Sequence, residues 1–225
     1  TRTVSGVNWK DEWFLSESLF YNHELARTAM ALSAAAYVGA NNMKSAYNAF
    51  GFDTRDSRFF AEYPAATKED NDVVGHSFAI KEIYDPTIEE SRPLVVITVR
   101  RTPGNEEWYS NINLGKEQYH DGFFTAEAKV LDNLNEYLEK MEELGYDMDS
   151  AKYLVTGHSR GAAVANILAA SLTENGCAAQ GDVFGYTFAA PAVAAYASEN
   201  GYENIFNIVN PEDFVTQMPL GEGKW

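Results

Sequence analysis

A serine hydroxyl is the side chain of this sequence whose surroundings best suit covalent chemistry. Ser159 stands at the centre of the segment from Gly157 to Gly161, which has the form Gly-x-Ser-x-Gly. In that pattern a sharp turn from a strand into a helix holds the serine in strained backbone geometry, and the two glycines let strand and helix approach closely. The pattern predicts that Ser159 is a nucleophile for a carboxylic ester, with Gly157 and Gly161 as structural residues of the turn.

The sequence on either side of the turn supports this interpretation. The apolar segment 153–156 predicts a buried strand that enters the turn, and the alanine-rich segment 162–171 predicts a helix that leaves it. The amino end of such a helix carries N–H groups and a positive dipole, which suit an oxygen that becomes negative during attack. The alternative interpretation is a glycine-rich turn that only joins two core elements.

Strands and helices alternate along the remaining chain. The predicted elements, in chain order, are a helix capped by Asn22 and ended by Gly39, a helix over 42–50 ended by Gly51, a half-buried strand over 73–84, a doubly covered strand over 94–99, a helix over 126–141 closed by Gly145, and strands over 183–188 and 205–209. This order predicts an α/β fold with a mainly parallel central sheet and helices on both faces. In such sheets, sites form at the carboxyl ends of the strands.

Chain length indicates the number of domains, and net charge excludes some classes of partner. We expect a single domain over 1–225, with an N-terminal helical segment over 1–52 packed on a core over 73–220. Thirty-three acidic residues against seventeen basic ones give a net charge of −16, which disfavours nucleic acids and anionic lipid headgroups as partners and suits neutral substrates. No apolar run is long enough to span a bilayer, so stable membrane insertion is not expected, although transient contact with a lipid interface stays open.

Other chemistries have little support. Cys177 is the single cysteine, so neither an intrachain disulfide nor a multi-cysteine metal site is expected. Two pairs of aspartates, at 70 and 72 and at 147 and 149, lack the spacing of a calcium-binding loop and are read as solvated surface charge. No metal and no organic cofactor is expected.

An ordered set of motifs resembles the fungal-type (class 3) lipases and their bacterial relatives. The motifs lie in the segments 99–102, 120–123, 154–170, 187–191 and 207–219, and the likeness covers roughly Val73 to Leu220. The resemblance implies an α/β-hydrolase fold and an ester hydrolase for neutral acyl esters such as acylglycerols, working through an acyl-enzyme. It favours an extracellular location, whereas the substrate and the oligomeric state stay undetermined.

The resemblance also implies roles for further residues. Asp213 matches the acid of the catalytic triad, and it independently follows a predicted strand and the serine, as the α/β-hydrolase order requires. The backbone N–H groups of Thr102 and Arg160 match the oxyanion hole. Arg101 stands where the family usually has glycine, so a positive φ is disfavoured there and the loop is expected to bend differently.

The base is the chief difficulty. All four histidines (His23, His76, His120 and His158) precede Ser159, whereas the triad histidine of the family follows the acid. Three explanations stay open: the chain is truncated before that histidine, an upstream histidine such as His120 supplies the base, or the domain binds without catalysing. The first is favoured, and His158 is expected to point away from the serine.

The loop over Pro103–Lys116 matches the position of the family's lid. Its aromatic and aliphatic residues suit an apolar flap over the site, and they equally suit packing on the helix that follows. The alternative for the whole chain is a non-catalytic α/β-hydrolase-like binding domain.

Overall fold

A sheet of five strands in the order β1-β2-β3-β4-β5 forms the centre of the part of the chain that the structure describes. That structure is a computed structural model; it describes residues 7–55, 74–100, 118–191 and 201–213, with backbone alone for 118–121. β1 and β2 pair antiparallel, and all other neighbouring strands pair parallel. The elements are β1 Gly75–Asp85, β2 Glu90–Arg100, β3 Lys152–His158, β4 Val183–Phe188, β5 Ile205–Ile208, α1 His23–Ala36, α2 Ala40–Ala49, α3 Gln118–Glu143 and α4 Arg160–Glu174.

Helices cover both faces of the sheet, as the sequence predicts. Because successive side chains of a strand point to opposite faces, β2 contributes Val95 and Ile97 to one core and Leu94 and Val96 to the other. The first core packs against α3 and α4, and the second packs against α1 and α2. The doubly covered β2 is the reason why the segment 94–99 consists of apolar and β-branched residues.

The first helix begins where the sequence predicts and ends earlier. The Asn22 side chain accepts a hydrogen bond from the backbone N–H of Leu25 at 3.1 Å, so it caps α1. The helix ends at Ala36, and Gly39, with φ of 120°, is the residue that precedes α2. The predicted role of Gly39 as the end of α1 is therefore wrong, because the chain uses its left-handed conformation to begin the next helix.

The first strand is more buried than its alternating pattern predicts. In β1 the six residues from Gly75 to Ile80 are all buried, and only the second half of the strand has exposed positions. Met43 and Tyr47 of α2 share a hydrophobic core with Ala79 of this first half. The Tyr47 hydroxyl of α2 lies 2.8 Å from the Ser77 hydroxyl of β1 and donates to the Thr98 hydroxyl of β2 at 2.9 Å.

A network of charged side chains lies at the end of the sheet where the parallel strands β3 and β4 begin. The Lys152 ammonium donates to Asp182 Oδ1 at 2.6 Å, and the Arg92 guanidinium donates to Asp182 Oδ2 at 3.1 Å. The side chain of Lys152 is only 4% exposed. This ion network ties β2 and β3 to the turn that precedes β4, far along the strands from their carboxyl ends.

Candidate active site

The carboxyl ends of the parallel strands meet at one edge of the sheet. Val99 of β2 pairs with Gly157 of β3, which pairs with Thr187 of β4, which pairs with Asn207 of β5. Ser159 follows β3 by one residue at this edge. Parallel pairing thus brings the predicted nucleophile next to the segments that leave β2, β4 and β5.

Ser159 has an unusual backbone conformation. Its φ of 58° and ψ of −128° lie outside the broad regions that side chains other than glycine prefer. Three hydrogen bonds hold it there: its N–H donates to the Phe188 carbonyl at 2.9 Å, and its carbonyl accepts from Ala162 and Ala163 at 2.9 and 3.2 Å. Such strain costs about 1–3 kcal/mol per residue and concentrates at functional sites.

The glycines on either side of the turn allow a backbone-to-backbone approach. A Cβ on Gly157 would lie 2.6 Å from the Gly161 carbonyl oxygen, and a Cβ on Gly161 would lie 2.5 Å from the Val99 carbonyl oxygen. Both distances are shorter than real Cβ contacts, and the opposing atoms belong to the backbone, which cannot turn away. The first turn of α4 therefore packs on β2 and β3 at a distance that only glycine permits.

The Ser159 hydroxyl is enclosed. The residue is 3% exposed, and its Oγ has no hydrogen-bond partner among the residues that the structure describes. Leaving a buried hydroxyl without a partner costs about 1–3 kcal/mol, so its presence in a folded chain calls for a functional explanation.

The amino end of α4 supplies the electrostatics of the site. Arg160 is the first helical residue, so its N–H points out of the helix along the axis, where the macrodipole is positive. The other predicted oxyanion donor, Thr102, lies outside the described residues, as do Arg101 and the loop Pro103–Lys116. The last residue of β2, Arg100, donates from its guanidinium to the Ala36 carbonyl at 3.1 Å, which fixes the strand end against the end of α1.

Asp213 lies in the turn that leaves β5. Its N–H donates to the Asn210 carbonyl at 2.9 Å, and the N–H of Glu212 donates to the Asn210 side chain at 3.1 Å. β5 is the second strand from β3, so the two strands are about 10 Å apart at the usual spacing.

The described histidine side chains have contacts elsewhere. His76 Nδ1 lies 3.2 Å from the Val74 carbonyl and its Nε2 lies 3.0 Å from the Asn133 amide, and burial lowers the pKa of His76 to about 4. His158 Nδ1 lies 3.0 Å from the Tyr37 hydroxyl of α1. His23 lies 3.3 Å from the Tyr21 hydroxyl. None of these three contacts the Ser159 Oγ, and the side chain of His120 is outside the described part.

The sequence did not predict the side-chain contacts that join α4, β4 and β5 close to Ser159. The buried Thr187 hydroxyl of β4 donates to Asn166 Oδ1 of α4 at 2.7 Å and lies 3.4 Å from Asn207 Oδ1 of β5. Threonine and asparagine occur throughout surfaces and turns, so these residue types carry no signal until the strand register is known. The one hint is that Thr187 lies within an otherwise apolar and aromatic strand.

Neither a metal-binding cluster nor a membrane-spanning helix is found among the described residues. Within those ranges no cluster of three or more His, Cys, Asp or Glu side chains is arranged to bind a metal ion. No described helix combines the length and apolar character needed to cross a bilayer.

Comparison with known proteins gives a family and a shared fold. The family model for lipase (class 3) matches residues 96–222, more than half of the chain. Among solved structures, a triacylglycerol lipase reported to have a serine protease triad at its catalytic centre aligns with a TM-score of 0.59 and 20% identity, covering 89% of this chain and 76% of that one. A lipase from Rhizopus microsporus var. chinensis aligns with a TM-score of 0.56 and 16% identity, covering 97% of this chain and 79% of that one. The Rhizomucor miehei triacylglyceride lipase aligns with a TM-score of 0.56 and 18% identity, covering 89% of this chain and 76% of that one.

Proposed function

The chain belongs to the class 3 lipase family, and from this premise and the geometry at Ser159 we propose that it is a serine ester hydrolase. The Ser159 Oγ attacks the carbonyl carbon of an acyl ester, and its proton passes to a base. The tetrahedral intermediate collapses, the C–O bond to the alcohol breaks, and the alcohol leaves with a proton. Water then attacks the acyl-enzyme, which releases the carboxylic acid and restores the hydroxyl.

One observation carries this proposal. At the amino end of a helix, Ser159 combines a strained backbone with a buried hydroxyl that no described residue binds. A residue of the core would relax into an ordinary conformation or gain a partner, because both features cost free energy. A nucleophile instead needs a hydroxyl that no neighbouring protein group occupies, so that a base can take its proton.

The roles of the surrounding groups follow from charge development. In the tetrahedral intermediate the former carbonyl oxygen becomes negative, and we assign the N–H groups of Arg160 and Thr102 as its hydrogen-bond donors. Loss of one such donor costs about 2.7–4 kcal/mol of transition-state stabilisation. Asp213 is assigned as the carboxylate that orients the imidazolium, which suits its place in the turn after β5.

The substrate we propose is a neutral acyl ester of the acylglycerol type. The chain has a net charge of −16, which repels anionic esters over a distance of about 10 Å at moderate salt. The structurally similar protein whose catalytic centre is a serine protease triad is a triacylglycerol lipase. Hydrolysis can be compared on a glycerol ester of short acyl chains and on a choline phospholipid of the same chain length. This proposal expects faster hydrolysis of the glycerol ester, whereas a phospholipase would favour the phospholipid.

The test is covalent labelling together with turnover. A fluorophosphonate should add to Ser159, as located by mass spectrometry of the peptide, and glycerol tributyrate should be hydrolysed. Ser159→Ala should abolish labelling and lower turnover by about 10⁴-fold or more. Ser45→Ala, which removes an exposed hydroxyl of α2, is the matched control and should behave as the wild type.

The second candidate is a binding domain that keeps the fold without the chemistry. It is favoured by the absence of contacts between Ser159 and the three histidine side chains that the structure describes. This candidate predicts neither labelling nor turnover, even when free imidazole is added as a substitute base. Labelling that appears only with imidazole would show a functional nucleophile and oxyanion hole in a chain whose own base is missing.

A further inference from the structure

Thr187 connects three elements that meet at the site. Its hydroxyl donates to the Asn166 side chain of α4, the helix that begins beside Ser159, at 2.7 Å. It also lies 3.4 Å from the Asn207 side-chain oxygen of β5, the strand that leads to Asp213. Turning the Asn207 amide over exchanges two groups of nearly the same shape and makes its NH₂ a donor to the Thr187 oxygen.

The position of this link relative to Ser159 is fixed by the strand register. Thr187 pairs with Gly157, so it lies beside the strand residue two positions before the serine. The next residue, Phe188, accepts the Ser159 N–H at 2.9 Å. The Thr187 side chain is fully buried, so water cannot replace the bonds that it makes to its two partners.

β5 is the element that most needs such a link. It has only four residues, and among the described residues its sole strand neighbour is β4. Asn207 is exposed, whereas Thr187 is buried, so the side-chain contact ties the outer strand to the interior. The turn that carries Asp213 begins at Asn210, three residues after Asn207.

We propose that Thr187 is a positioning residue of the reaction: its hydroxyl, held between Asn166 and Asn207, sets the place of the Asp213 turn relative to Ser159. This inference rests on the proposed function. A displacement of about 1 Å in a catalytic group can cost about 100-fold in rate. Loss of the link should therefore lower the rate of the chemical step and leave substrate binding nearly unchanged.

The main experiment compares Thr187→Val, which keeps the shape and removes the hydroxyl, with Thr187→Ser, which keeps the hydroxyl. We expect Thr187→Val to lower kcat and the rate of phosphonate labelling by tenfold to a hundredfold, with KM within twofold of the wild type. Thr187→Ser should recover most of the rate. Thr173→Val makes the same change on α4, where the hydroxyl donates to the Ala169 carbonyl of its own helix, and should have no effect on the rate.

A second arm tests whether Thr187 acts through Asp213. In an Asp213→Asn background the Thr187→Val change should slow labelling by less than twofold, because the group that it positions is already impaired. Asn166→Ala should reproduce the loss of Thr187→Val, and the double variant should be no slower than either alone. If the losses in labelling rate multiply both when Thr187→Val is combined with Asp213→Asn and when it is combined with Asn166→Ala, the positioning role is overturned.

Amide hydrogen exchange provides a measurement that does not depend on activity. Thr187→Val should accelerate exchange of the peptide covering 205–213, while melting stays close to that of Thr173→Val. A wild type that the phosphonate does not label refutes the proposed function. A wild type that is labelled, with Thr187→Val labelled equally fast or with unchanged exchange over 205–213, refutes the positioning role alone.

Discussion

Replacing Gly161 with alanine would place a Cβ 2.5 Å from the Val99 carbonyl oxygen and 2.9 Å from the Arg100 Cα. Ordinary contacts begin at 3.4 Å, so α4 or the end of β2 must retreat by about 0.9 Å. Overpacking of this kind costs about 1–3 kcal/mol of unfolding free energy. For a chain of this size that corresponds to a melting temperature lower by about 2–12 °C.

The same retreat separates the amino end of α4 from the end of β2, which leads to the predicted donor Thr102. We therefore expect Gly161→Ala to slow phosphonate labelling of Ser159 by about 100-fold, because misplacement of about 1 Å has that effect. The assay is a time course of adduct formation by mass spectrometry, with thermal unfolding followed in parallel.

Gly145→Ala is the control for this experiment. Gly145 has a φ of 96°, and a Cβ there would meet no atom of the described residues within 4 Å. It should lose about 1–2 kcal/mol through backbone strain and keep the labelling rate of the wild type. A Gly161→Ala protein that is labelled as fast as Gly145→Ala would refute the close approach of α4 and β2 as a requirement of the site.

Three further predictions concern buried polar groups. Between pH 6.5 and about 4 the unfolded chain protonates His76 and the folded chain does not, so stability should fall as the pH is lowered through this range, by up to about 3 kcal/mol; His76→Gln should flatten that part of the denaturation profile. Tyr47→Phe should cost about 1–3 kcal/mol in urea unfolding, because it leaves buried hydroxyls of β1 and β2 without their partner. Asp182→Asn should cost about 3–5 kcal/mol, because the buried Lys152 ammonium loses its carboxylate.

Matched controls separate these effects from general damage. Tyr84 is 58% exposed, so Tyr84→Phe should leave stability nearly unchanged. Glu24→Gln breaks an exposed ion pair with Arg27 and should cost well under 1 kcal/mol. A control as destabilised as its buried counterpart would contradict the burial argument, as would a His76→Gln profile that keeps the full loss between pH 6.5 and 4.

Local signals in the sequence predicted most of the architecture. The runs over 94–99 and 153–156 correspond to β2 and β3, because burial on both faces favours apolar and β-branched residues. The segment 183–188 is β4 without any change of bounds. The end of α1 was less predictable, since Gly39 suits the end of one helix and the beginning of the next equally well.

The site could be predicted only where its residues lie close together in sequence. The turn around Ser159 occupies five residues, and its glycines report the close approach of α4 to β2 and β3. The contact of Thr187 with Asn166 joins residues 21 positions apart, and it depends on the register of β3, β4 and β5. The burial of the Ser159 hydroxyl also depends on tertiary packing, so a motif that predicts an available nucleophile gives no measure of its exposure.

The strain at Ser159 has a counterpart on the neighbouring strand. Ala189 has φ of 51°, and it follows β4 just as Ser159 follows β3. The N–H of Ser159 donates to the Phe188 carbonyl, and the N–H of Ala189 donates to the Ile208 carbonyl, both at 2.9 Å. The strained residue after β3 is therefore held by the end of β4, and the strained residue after β4 is held by the end of β5. Because Asp213 follows β5 by five residues, these backbone bonds and the Thr187 side chain act along the same path, so a change at either should affect Ser159 and the Asp213 turn together.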